Sequence, residues 1–183
     1  MSSPSAVRPF SGIFHAQPAV STFAFAVRHS GVFWFRGVLT EVTASLTADA
    51  DGALSLAGSA AVGSISVTEP DAMRASVLGA AFFDAERHPE LTFRSTALRL
   101  ADDGGLDLDG ELTMRGVTRA VTATGDWSPP RTADYGEVAG LHLTTTLDRR
   151  DFGLDWQAPM PDGGDAVGWE VRIDVDLLLI RAH

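Results

Sequence analysis

The chain has no cysteine and no lysine among its 183 residues, and a single tyrosine. Without cysteine, neither disulfides nor thiolate metal sites can hold the fold, so packing must do it. Without lysine, every cationic side chain other than histidine is arginine, and 14 of these against 24 acids leave a formal net charge of −10. An acidic surface repels phosphate backbones and anionic headgroups, which argues against nucleic-acid binding and polybasic membrane docking. The arginines stand singly except for Arg149-Arg150, which Asp148 and Asp151 flank as a locally neutralised cluster.

Long apolar runs are also missing. Leu177 to Ile180 is among the longest and is far too short to cross a bilayer, so no stable membrane insertion is expected. The first ten residues hold no apolar core followed by a small-residue cleavage site, so the reading is no secretory signal and a cytoplasmic protein. No glycine-rich loop opens a helix, and neither a Walker pattern nor a GxSxG elbow occurs. The histidines at 15, 29, 88, 142 and 183 show no close ligand spacing, so no metal site is expected. Asp102-Asp103 falls in a turn, where aspartate serves conformation.

What is present is period-two alternation, the mark of strands with one buried face. Phe23, Phe25 and Val27 alternate with Thr22, Ala24, Ala26 and Arg28; Trp169, Val171, Ile173, Val175, Leu177 and Leu179 alternate with Glu170, Arg172, Asp174 and Asp176. Leu106, Leu108, Leu112 and Met114 share a third such face. Further strand-like stretches are Phe10–His15, Phe35–Thr47, Ala53–Ser66, Leu91–Leu100, Val117–Trp127 and Glu137–Leu147, with turn signals at Asp51-Gly52 and Asp103-Gly104. Eight or nine strands on short connections imply an all-β antiparallel meander, and closure into a barrel hides its edges. Length fits one domain: a tail over residues 1–9 and a barrel over 10–183. One segment breaks the pattern. Thr68-Glu-Pro-Asp71 has capping-box spacing, and Met73, Val77 and Leu78 then recur at helical spacing, which predicts a short helix over about 69–78 near one barrel end.

Phe33-Trp34-Phe35 run consecutively, so alternation places one of them on the outer face or demands cover on both sides. Ala57, Gly58, Ala60, Ala61 and Gly63 offer little side-chain volume. An eight-stranded barrel is just wide enough to be filled by side chains or to hold one slender ligand. Small residues facing large ones would leave a slot.

Four motifs, in order, carry a family resemblance. They are Phe25-Ala-Val-Arg-His29, Phe82-Phe-Asp-Ala-Glu-Arg-His-Pro-Glu-Leu-Thr-Phe93-Arg-Ser95, Gly110-Glu-Leu-Thr-Met-Arg-Gly-Val-Thr118 and Arg149-Arg-Asp-Phe-Gly-Leu154. The chain resembles the YceI-like family of polyisoprenoid-binding proteins. The resemblance implies an extended eight-stranded antiparallel lipocalin-like barrel around a long apolar ligand: a polyisoprenoid, an isoprenoid quinone or a fatty amide. Carried over by position, it implies Phe25, Val27, Phe82, Phe83, Phe93, Leu112, Met114 and Phe152 as ligand-binding residues. It implies no catalytic residue and no cofactor beyond a bound lipid or quinone, and it admits a homodimer. The family's aspartate in the helix is missing from Met73-Arg-Ala-Ser-Val-Leu78.

The leading reading is thus carriage or storage of a long apolar lipid by a protein that is not an enzyme. Two alternatives stand beside it. One is an interaction module with a filled core that dimerises or binds a protein through exposed aromatics. The other is an enzyme acting on the held lipid, with His29 or His88 as acid–base.

Overall fold

Alternating residues fold here into ten strands in a computed structural model that describes residues 11–183. They are β1 (Gly12–Ala16), β2 (Thr22–His29), β3 (Phe33–Leu39), β4 (Val42–Ala48), β5 (Leu54–Ala61), β6 (Glu90–Leu100), β7 (Gly105–Met114), β8 (Val117–Ala133), β9 (Gly136–Asp148) and β10 (Val167–Arg181). One helix, α1 (Asp71–Leu78), and two 3-10 turns, Val62–Ser64 and Arg149–Phe152, complete the elements. The proposed tail over residues 1–9, and Phe10 at the head of the first expected strand, lie outside the described residues.

Ten segments occupy eight strand positions. β10 pairs with β1 through Phe14↔Arg181 and with β2 through Val167↔His29 to Asp176↔Thr22. β1 and β2 are therefore successive halves of one position, interrupted at residues 17–21. β3 and β4 divide the next position in the same way, β3 on β2 and β4 on β1. From there β5, β6, β7, β8 and β9 follow in order, and the β1–β10 pairing closes the ring. The fold is the expected closed eight-stranded antiparallel barrel with one helix. β10 alone runs 15 residues, about 50 Å at the usual strand rise.

Register does what the pattern requires. Ile173, Leu177 and Leu179 are buried while Asp174 and Asp176 face outward, and a one-residue slip would reverse them. The helix starts later than capping-box spacing suggests. Pro70, extended at φ −70° and ψ 154°, occupies the N-cap, so Thr68 does not cap it and the first turn begins at Asp71. Tertiary contacts hold this short helix instead: the Arg74 guanidinium donates to the carbonyls of Gly63, Ile65 and Val67. Gly79 is the C-cap residue of the helix.

One end of the barrel is solid. Phe14, Leu46 and Leu179 are fully buried there beside Leu98, Leu106, Leu141 and Trp127. Trp127 closes this end, its indole Nε1 donating to the Ala101 carbonyl at 2.8 Å.

Candidate functional site

The other end is open inside. Inward-facing residues of the strands surround a chamber of about 190 Å³ beneath α1, and a second of about 100 Å³ lies deeper in the bore. Phe23, Leu91 and Ile173 border both, so they form the neck between them. The deeper chamber ends within one strand repeat: Leu108, Leu143 and Leu177 line it, whereas Leu106, Leu141 and Leu179, the next inward residues, do not. The cavity is thus a two-chambered bore, blind at the Trp127 end. The interior thus keeps open space, which the filled core of the interaction-module alternative does not expect.

Small residues make the room. Gly58 and Ala60 on β5, Ala44 on β4 and Ala123 on β8 line the deeper chamber. Two aromatic rings lie flat on glycines of neighbouring strands. Phe25 covers its register partner Gly37, where an added Cβ would sit 2.5 Å from the ring Cζ. Phe93 covers Gly110 in the same manner. Each ring takes the space that a side chain at the glycine would fill.

Of the expected ligand-binding residues, Phe25, Val27, Phe82, Phe83 and Met114 line the outer chamber, and Phe93 and Leu112 line the deeper one. Phe152 does not join them. It belongs to the 3-10 turn Arg149–Phe152, not to a strand, and its ring is buried in the core beside the bore. Alternation places Phe23, Ile173 and Val175 on inward faces without marking them as cavity walls. Trp156, against Phe82 at 5.3 Å between ring centroids, comes from an irregular loop that carries no periodic signal.

The three consecutive aromatics divide by parity. Phe35 lines the outer chamber and Trp34 lies on the outer face. Phe33 stands past the rim, 5.1 Å from the His29 ring. Trp34 is held between two guanidinium groups, Arg28 at 4.7 Å and Arg172 at 4.1 Å from its ring centroid.

Few polar groups reach the outer chamber: His29, Ser76 and Arg149. His29 is within 3.0 Å of the Ser30 hydroxyl. His88 lines neither chamber and packs beside Gly116, so the two histidines do not form one site. Arg149 is buried and donates to the carbonyls of Leu154, Val167 and Gly168, with the Trp169 ring 4.2 Å away. Burial pushes its pKa down. Among the described residues it forms no ion pair; its neighbour Arg150 takes the carboxylate of Asp148 and holds that acid down at about 2. Its role is to clamp the 149–168 connection onto the start of β10.

On the outer wall, His142 projects away from Leu141 and Leu143, as alternation requires, and lies near Asp174 and Asp176. Its Nδ1 is 2.9 Å from Asp176, and that hydrogen bond raises the imidazole pKa. Among the described residues this trio is the group of histidine and acidic side chains whose ligand atoms lie close enough together to share a metal ion.

Comparison with known proteins agrees with this architecture. A model of the YceI-like domain matches residues 14–179. A UPF0312 protein of Pseudomonas putida strain GB-1 is 38% identical over 79 residues, 43% of this chain, and the matched stretch spans 41% of that relative's length. A UPF0312 protein of Vibrio cholerae is 24% identical over 159 residues, 84% of this chain and 82% of its own. Among solved structures, Burkholderia cenocepacia BcnA superposes with a TM-score of 0.70 at 21% identity, covering 89% of this chain and 98% of that one. A polyisoprenoid binding domain from Saccharophagus degradans, implicated in plant cell wall breakdown, gives 0.65 at 10% identity over 94% of this chain and 100% of that one. At these identities the structures share the fold.

Proposed function

The chain belongs to the YceI-like domain family, and from that premise we propose that it binds one long apolar chain, of polyisoprenoid or isoprenoid-quinone type, for storage or carriage. The observation that carries this reading is the blind, two-chambered apolar bore running from α1 into the barrel. A hydrocarbon tail forms no hydrogen bonds, so its affinity comes from area withdrawn from water. Each buried methylene is worth about 0.8 kcal/mol, and ordering the flexible chain consumes much of that. Several isoprene units still leave micromolar binding within reach. The shared fold with a polyisoprenoid binding domain supports the same ligand class.

Binding without turnover is the reading the contacts of His29 support. Its ring meets a hydroxyl and a phenyl ring, Ser30 and Phe33, and no carboxylate among its described hydrogen bonds orients it as a base. Phe25, Val27, Phe82, Phe83, Phe93, Leu112 and Met114 would contact the tail, joined by Phe23 and Ile173 at the neck.

Native mass spectrometry of gently purified protein, followed by solvent extraction, tests the proposal. The expected result is a stoichiometric adduct that extracts as a long apolar lipid, or uptake of added prenols and quinones by delipidated protein. Protein that stays empty and ignores both would overturn it.

A further inference from the structure

Of the seven exposed large apolar side chains among the described residues, Ile13, Val20 and Tyr135 lie apart and four gather at the cavity mouth. Met73 (38% exposed) and Trp156 (41%) line the outer chamber and also face solvent. Val32 (76%) and Phe33 (50%) stand beside the same opening, because Phe33 packs on His29 of the chamber wall. The β2–β3 hairpin that presents them turns through Ser30 and Gly31, both left-handed at φ 50° and 68°. Its tip is pinned, Ser30 N–H donating to the Ala166 carbonyl at 2.7 Å. At this tip Val32 buries little against the barrel, and Phe33 only half of its surface. Their exposed surface is open to something outside it.

Charge completes the picture. In a chain of net charge −10, Arg28 and Arg36, just behind this tip, form no ion pair among the described residues. They gather round Trp34 instead: Arg28 lies over its ring and Arg36 donates to its carbonyl. An apolar tip backed by tryptophan and arginine matches the layering of a phospholipid surface, with acyl chains outermost and phosphates behind.

We propose that the cavity rim, led by Val32 and Phe33, docks on the surface of a phospholipid bilayer, so that the mouth opens directly onto the reservoir of its ligand. This rests on the proposed apolar ligand: a long hydrocarbon tail is scarce in water and abundant in acyl chains, so a mouth aimed at solvent would have little to collect. The net negative charge of the chain favours a zwitterionic surface over a strongly anionic one.

Co-sedimentation of the whole chain with phosphatidylcholine vesicles tests the docking. A second assay, uptake of the apolar dye diphenylhexatriene added from ethanol without vesicles, tests the bore separately. Wild-type protein should sediment with vesicles. Val32→Asp and the double variant V32D/F33D should lose that binding by about tenfold or more, while Val32→Asp keeps wild-type dye uptake and thermal midpoint. The variant I13D/Y135D, at exposed positions away from the mouth, should sediment like wild type. Wild-type protein that stays in the supernatant overturns the proposal, as does equal loss in both pairs of variants, which would mark unspecific adsorption. Concentration-dependent dimerisation abolished by Val32→Asp, with no vesicle binding, would assign the face to a second copy and overturn it too. Vesicle binding without dye uptake would leave docking standing and count against the ligand reading.

Discussion

Phe25 and Gly37 face each other across β2 and β3, and the phenyl ring lies where the missing side chain would be. The pair lays an aromatic ring along the barrel wall instead of across its axis. Gly37→Ala should therefore tilt Phe25 into the outer chamber, lowering stability by about 1–3 kcal/mol through overpacking and reducing uptake of an apolar dye. Adding Phe25→Leu should restore uptake, because the displaced ring is then gone. Dye titration and urea unfolding of the three proteins check this. Unchanged uptake in Gly37→Ala would show that the ring does not bound the usable space.

The neck at Phe23, Leu91 and Ile173 should read chain length. Phe23→Trp narrows the passage between the chambers, so short prenols should still displace a bound dye while longer ones lose potency. Phe23→Ala should shift preference toward longer chains, at a packing cost of about 3 kcal/mol. Displacement by a series of prenols of increasing length decides the matter. Parallel loss across the whole series would mean the chambers do not act separately.

Arg149 is a structural clamp, and its removal should be felt in stability more than in ligand preference. Arg149→Met leaves the carbonyls of Leu154, Val167 and Gly168 without their donor, which should cost about 2–4 kcal/mol in urea unfolding. Arg149→Lys should recover only part, since one ammonium cannot span the fork. A Met variant as stable as wild type would refute the clamp.

His142 gives the barrel a modest pH dependence of known sign. Its folded pKa is raised above the ordinary 6.5, chiefly by the hydrogen bond to Asp176. The stabilisation is therefore complete below the unfolded value and fades as pH rises through the folded one. Wild type should exceed His142→Ala in stability most on the acid side of 6.5, and the gap should close above the raised pKa. The side chain is partly exposed, so the effect is small and screened by salt. At the acid extreme, Asp148 behaves oppositely: held at about 2 by Arg150, it loses its contribution as pH falls from 3.8 toward that value.

How much of this was legible beforehand depends on where a residue sits. On β10, charges at every second position leave one register, so burial of Ile173, Leu177 and Leu179 follows from alternation. Phe35–Thr47 reads as one strand because β3 and β4 continue a single line; the break at Thr40-Glu41 carries no glycine or proline to mark it. The start of α1 was hidden because capping spacing at Thr68 competes with an extended Pro70. Phe152 is supplied by a family motif alone, and the 3-10 turn Arg149–Phe152, which has no period to count, decides where its ring points. Trp156 could not be found at all, since loops have no period to count. Open space is the least legible property of a sequence. It depends on which ring covers which glycine across a strand pair, as Phe93 does over Gly110.

Trp127, anchored on the Ala101 carbonyl, turns the barrel into a corridor with a single door. A guest that enters tail-first cannot thread through; it must back out along the path it took, giving up contacts from the deep end first. On the proposed function, dwell time would then grow with the length of tail withdrawn, and guests would be sorted by how long they stay as well as by how tightly they bind.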